Sequence, residues 1–115
     1  MSPKDRRSEG VGAHGWAPVF AALGDEGRLL LVRRLAGGQT CSIAELTEGS
    51  RLTRQAIRKH LGVLERAGLV RGVRAGREHR FALEREAIEE SRRYLERVSE
   101  EWDAALGRLK AFVEG

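Results

Sequence analysis

Between residues 53 and 60 the chain reads TRQAIRKH. Arg54, Gln55, Arg58 and Lys59 carry the donors that duplex recognition uses. A guanidinium bridges two acceptors of guanine, and a glutamine amide pairs bidentately with adenine. A second basic pair, Arg74 and Arg77, flanks the short sequence RAGR and suits backbone phosphate or an adjacent minor groove. Residues 51–80 hold nine basic and two acidic residues, with no acid between Glu48 and Glu65, whereas residues 1–50 are neutral and 81–115 are net acidic. A solvated face is the ordinary reading of a charge run; this asymmetry favours contact with a polyanion.

The elements that must position these groups are legible from periodicity and capping. Trp16 to Leu23 forms a first helix, broken by Gly24. Asp25 caps a second, whose apolar run from Leu29 to Ala36 is nearly continuous and is expected to be buried on more than one side. Ser42-Ile43-Ala44-Glu45 is a capping box that opens a short third helix, with Ile43, Ala44 and Leu46 inward. Thr53 caps a fourth, which places Ala56, Ile57, Leu61 and Leu64 on one face and stops at Gly68. Arg54, Arg58 and Lys59 must then project outward near its start. His60, one position before Leu61, reads first as a packing or capping residue. Leu69–Ala75 and Glu78–Leu83 read as two strands joined at Ala75-Gly76, where Gly76 supplies a positive φ.

From Glu84 to Val113 a single long helix is expected. Ile88, Ser91, Leu95, Val98, Trp102, Ala105, Leu109 and Phe112 follow the 3-4 spacing of a coiled-coil seam. Such a helix reaches about 45 Å, more than the preceding small globule covers. Its lower half therefore needs a second surface, expected to be both Trp16 and Phe20 of the first helix and the same helix of a second subunit. A short helix, a turn and a helix with basic residues at its leading end form a helix-turn-helix pattern.

Other chemistries find little support. Cys41 is the single cysteine, which excludes an internal disulfide, and reads as a half-buried small residue before a helix. His14, His60 and His79 fall on separate elements, so no metal site is expected and no cofactor is implied. No nucleophile–base set, carboxylate pair or phosphate-binding loop suggests an enzyme. Residues 1–14 read as a disordered tail, without the apolar core of a signal peptide, and residues 15–115 as one domain. No apolar stretch spans a bilayer, so no membrane partner is expected and a cytoplasmic location follows by elimination.

The runs FAALGDEGRLLLVRRLAGG and SIAELTEGSRLTRQAIRKHLGVLERAGLVRGVRAGREHRFAL resemble the ArsR/SmtB family of winged helix-turn-helix regulators over residues 20–83. The segment RKHLGVLERAGLV, followed by a wing with a central glycine, carries most of the likeness. The resemblance implies a mainly α winged helix-turn-helix fold with a small β-hairpin and a long closing helix. It implies a homodimeric, sequence-specific binder of double-stranded DNA, usually a repressor, acting on two related half-sites. The recognition helix maps to Thr53–Ala67 and the wing to about Val70–Leu83. DNA contacts are thereby expected from Thr53, Arg54, Gln55, Arg58, Lys59, His60, Arg74 and Arg77. Dimer contacts are expected from Trp16, Phe20, Leu95, Val98, Trp102, Leu106, Leu109 and Phe112.

The family's metal-binding cysteine pair falls here on Ser42 and Ala44, with Cys41 one residue out of register. The ending WDAALGRLKAFVE is similar to that of the non-metal-sensing subgroup, whose small-molecule inducer is often undefined. Two alternatives stay open: a winged helix that binds protein or RNA, and a thiol- or metal-responsive sensor using Cys41.

Overall fold

The computed structural model describes residues 15–115, and the expected N-terminal tail of residues 1–14 lies outside them. In chain order the described elements are α1 (Ala17–Leu23), α2 (Glu26–Leu35), β1 (Cys41–Ser42), α3 (Ile43–Thr47), α4 (Arg54–Arg66), β2 (Val70–Ala75), β3 (Glu78–Leu83) and α5 (Arg85–Glu114). This is the mainly helical winged helix-turn-helix fold expected from the sequence, with one strand more than the expected hairpin. Residues through Arg85 form one unit and Glu86–Gly115 a second.

Short polar side chains set the helix starts. The Asp25 carboxylate accepts from the Arg28 N–H at 3.0 Å at the head of α2. Ser42 Oγ accepts from Glu45 N at 3.1 Å while Glu45 Oε1 accepts from Ser42 N at 2.9 Å, which closes the capping box of α3. Thr53 Oγ1 accepts from Ala56 N at 3.0 Å and opens α4. Each bond satisfies an N–H that the helix itself leaves orphaned.

The end of α4 is equally explicit. Gly68 takes φ 79°, Gly68 N donates to Glu65 O at 3.0 Å, and Leu69 N donates to Leu64 O at 2.9 Å. This is a Schellman closure, in which the left-handed glycine lets the chain turn back under the helix. Leu64 and Leu69, the apolar pair that accompanies such a closure, are both fully buried.

Two arginines of α2 close their neighbours. Arg34 donates from Nη1 to Leu46 O at 2.9 Å and from Nη2 to Glu45 O at 2.9 Å, holding the last carbonyls of the five-residue α3. Arg28 Nε donates to Ala22 O at 2.6 Å and so caps α1. A cation at a helix C-terminus also meets the negative end of its dipole.

The core gathers Val19, Ala22, Leu31, Leu35, Leu46, Ile57, Leu61, Leu64, Leu69, Val70 and Phe81. Full burial of a leucine contributes roughly 1.5–3 kcal/mol over exposure. The sheet order is β1-β3-β2, all antiparallel, with Cys41 opposite Phe81 and Ser42 opposite Arg80. Ala75 pairs with Glu78, so the wing turns on Gly76-Arg77 rather than Ala75-Gly76, with Gly76 at φ 66°.

Three further local expectations are corrected. Leu69 precedes β2 because it completes the Schellman closure. Ala44 is exposed, since Leu46 alone of α3 is fully buried. The apolar run of α2 buries only Leu31 and Leu35; Leu29 and Leu30 are about half exposed. A ten-residue helix turns every side through its sequence, and here only one side meets the core. Leu30 instead lines an open cavity of about 490 Å³ with Leu31, Leu46 and Leu52.

In the second unit, α5 runs 30 residues, about 45 Å. Arg92 pairs with Glu89 and Glu96, and Arg97 lies 5.8 Å over the Tyr94 ring. Among the described residues no helix is long and apolar enough to cross a membrane.

Candidate nucleic-acid interface

The side chains of α4 divide by position. Ile57, Leu61 and Leu64 are buried, which leaves Arg54, Gln55, Arg58 and Lys59 exposed over the first two turns, behind an exposed Thr53 cap. Arg54 follows the cap directly because Thr53 fixes where the helix begins. The short α3, the turn and α4 form the helix-turn-helix, and Arg34 fixes the end of α3 that leads into the turn. On the wing, Arg74 and Arg77 are exposed, one on β2 and the other in the Gly76-Arg77 turn.

The basic residues of segment 51–80 are not equivalent. Arg80 is held from several sides. It donates to Thr40 O at 2.7 Å, to Thr40 Oγ1 at 2.8 Å, to Glu45 and to Glu78. Its ionisation is raised above the ordinary arginine value, first by the Glu78 bond and then by Glu45. Arg71 Nε sits 3.1 Å from Glu84 Oε1. In contrast, Arg54, Arg58, Lys59, Arg74 and Arg77 form no ion pair with an acidic group among the described residues. The charge counted in the sequence is thus partly structural. Arg51 before α4 and Arg66 at its far end also lack an ion pair among the described residues, and the other five unengaged cations cluster on the leading turns of α4 and at the wing tip.

His60 differs from its neighbours on α4. Its side chain is 19% exposed and faces the start of α2, with Nε2 3.8 Å from Asp25 Oδ2 and Nδ1 3.4 Å from Arg28 Nη1. Position 60 flanks the Ile57–Leu61 stripe, so the ring packs inward instead of standing with Arg58 and Lys59.

On the wing, the rings of His79 and Phe81 lie 4.6 Å apart, and a Cβ at Gly72 would come within 2.5 Å of the His79 ring. Gly72 therefore leaves the space that His79 covers. Cys41 is half-buried on β1. Among the described residues no three His, Cys, Asp or Glu side chains are grouped to hold a metal ion.

The residues expected at a subunit contact are also placed. Trp16, the N-cap of α1, and Phe20 within it are half-buried with ring centroids 6.0 Å apart. On α5, Leu95, Trp102, Leu106, Leu109 and Phe112 are exposed, Trp102 by 63% and Phe112 by 84%, while Val98 is half-buried. Val113 extends the same apolar end and was not singled out by the heptad spacing.

Similarity to known proteins agrees with this architecture. A family profile described as a helix-turn-helix domain matches residues 19–73. An HTH-type transcriptional regulator of uncharacterised role, YuzN of Bacillus subtilis (strain 168), is 43% identical over 65 residues, covering 51% of this chain and 71% of its own. The solved structure of an ArsR-like transcriptional regulator from Rhodococcus sp. RHA1 superposes with a TM-score of 0.78 at 39% identity, covering 86% of this chain and 90% of its own. A cadmium metal-sensor, CMTR from Mycobacterium tuberculosis, superposes with a TM-score of 0.53 at 33% identity over 60% of this chain and 70% of its own. The chain therefore belongs to the ArsR family of DNA-binding, helix-turn-helix transcriptional regulators.

Proposed function

We propose that this regulator is a repressor that binds, as a homodimer, a DNA operator of two related half-sites. The observation that carries the reading is the contrast within the basic segment. Arg71 and Arg80 are committed to carboxylates, whereas the other seven basic residues have none among the described residues, and five of them, Arg54, Arg58, Lys59, Arg74 and Arg77, lie on the leading turns of α4 and at the wing tip. Cations left without partners on an exposed helix face are available to replace the counterions of DNA.

In this reading α4 enters the major groove with Arg54, Gln55, Arg58 and Lys59 toward base edges, and Thr53 approaches phosphate at the helix start. Arg74 and Arg77 hold the backbone and carry no sequence information of their own. The homodimer is supported by the apolar end of α5, from Leu95 to Phe112, which would otherwise stand in water. Trp16 and Phe20 offer a second apolar contact to a partner subunit, and an operator of two half-sites calls for two copies of α4 about 34 Å apart. Occupancy of the operator blocks other proteins from the same DNA, which is repression by exclusion.

Selection of bound sequences from a random duplex pool tests this directly. The expected product is a pair of related half-sites with centres about one helical turn apart. Enrichment of a single unpaired element, or no enrichment at all, would contradict the dimeric operator.

A further inference from the structure

His60 lies on the recognition helix yet belongs to a different set of contacts. A guanidinium has no acceptor, so the 3.4 Å contact with Arg28 Nη1 requires Nδ1 to accept. The single proton of the ring then sits on Nε2, which faces the Asp25 carboxylate 3.8 Å away. Both partners are themselves structural: Arg28 caps α1 through Ala22 O, and Asp25 caps α2 through Arg28 N. The space is fitted to the ring as well, because a Cβ at Gly27 would come within 2.9 Å of His60 Nε2. One imidazole thus joins α4 to the residues that close α1 and open α2.

We propose that His60 is a positioning residue whose neutral ring seats α4 on the start of α2, so that adding a proton at Nδ1 weakens DNA binding although His60 does not touch DNA. The proton removes the acceptor that Arg28 uses and sets an imidazolium beside a guanidinium. Arg28 Nη1 must then turn away, while its Nε stays on α1. The attraction gained toward Asp25 is limited, since that carboxylate is 38% exposed and solvent-screened. From α2 the charged groups facing the ring are Asp25 and Arg28. Among the described residues α1, α3 and β2, which also pack on α4, bring no charged side chain within ion-pair distance of it.

The inference rests on α4 being the DNA-reading helix. Its test is duplex affinity of the full chain and of His60→Gln, with the selected operator, at fixed salt and at about pH 5.5, 6.5 and 7.5, the interval in which imidazoles titrate. Glutamine keeps a neutral acceptor and donor and does not titrate, and His14 and His79 are common to both proteins. The ratio of wild-type to variant affinity is expected to fall about fivefold from the highest pH to the lowest, an ordinary coupling between two sites. A direct phosphate contact by His60 predicts a rising ratio, and a flat or rising ratio overturns the proposal.

Should the variant fold poorly, NMR titration of the wild-type ring decides instead. Linkage is reciprocal, so at fixed pH operator DNA must move the ring signals of His60 toward the neutral form, and no change or a change toward the imidazolium overturns the proposal. Failure to bind any duplex at any pH would overturn the DNA-reading role together with this inference. Binding with a flat ratio would overturn the inference alone.

Discussion

The Arg80 guanidinium on the central strand donates to the Glu45 carboxylate of α3, joining residues 35 positions apart. The same carboxylate accepts from Ser42 N and closes the capping box, so one side chain ties the start of the helix-turn-helix to the wing sheet. Arg80 completes the joint through Thr40. A cation counted toward DNA binding in the sequence is thus a fixture of the fold.

That joint predicts a defined acid response. The Glu45 carboxyl is held below its ordinary value of 4.5, first by the Ser42 N–H and then by Arg80. A depressed carboxyl contributes stability above its unfolded pKa and loses it as pH falls through the folded one. Glu45→Gln keeps the capping box, since Gln also suits that position. The variant should therefore melt below the wild type near pH 7, and the gap should close as pH falls from about 5 to 3. Thermal midpoints across that range check this; parallel profiles would show that the charge of Glu45 contributes nothing.

Arg54→Ala and Arg58→Ala should each lose operator discrimination, by about 1–3 kcal/mol where the guanidinium is bidentate on guanine. Arg77→Ala should weaken operator and random duplex alike, because a phosphate contact carries no sequence. Competition binding with matched and mismatched duplexes separates the two. Specificity set by Arg77 and indifferent to Arg54 and Arg58 would mean that the wing, not α4, reads the bases.

Trp102→Glu combined with Leu109→Glu should yield monomers in sedimentation, since both substituted side chains lie on the exposed apolar end of α5. Operator affinity should fall with dimerisation, because each half-site then binds alone. An intact dimer in the double variant would place the subunit contact elsewhere.

The sequence disclosed most of what is local. Asp25, Ser42 with Glu45, Thr53, Gly68 and Gly76 act through neighbours within a few residues, so type and spacing sufficed to read the caps and the helix end, and to place the wing turn to within one residue. Contacts between distant residues were not legible in this way. The two-residue β1 exists because Cys41 and Ser42 meet Phe81 and Arg80, and no pattern of two residues announces that. Arg28 and Arg34 cap α1 and α3 from a neighbouring helix, and no local spacing announces that. The apolar run of α2 could not say which of its leucines face the core. For the interface, outward projection of Arg54 and Arg58 followed from helical spacing, whereas the inward turn of His60 depends on Gly27, Asp25 and Arg28, all far from it in the chain.

The central claim is that the unpartnered cations of α4 and the wing bind DNA, and a salt titration tests it most directly. Dissociation constants for the operator duplex are measured between about 50 and 200 mM salt, for the wild type and for the Arg54→Ala, Arg58→Ala, Arg77→Ala triple variant. The account predicts a steep linear fall of log affinity with log salt for the wild type, and a slope shallower by about three for the variant, one for each lost phosphate or base-edge charge. Affinity indifferent to salt, or identical slopes in the two proteins, would contradict it.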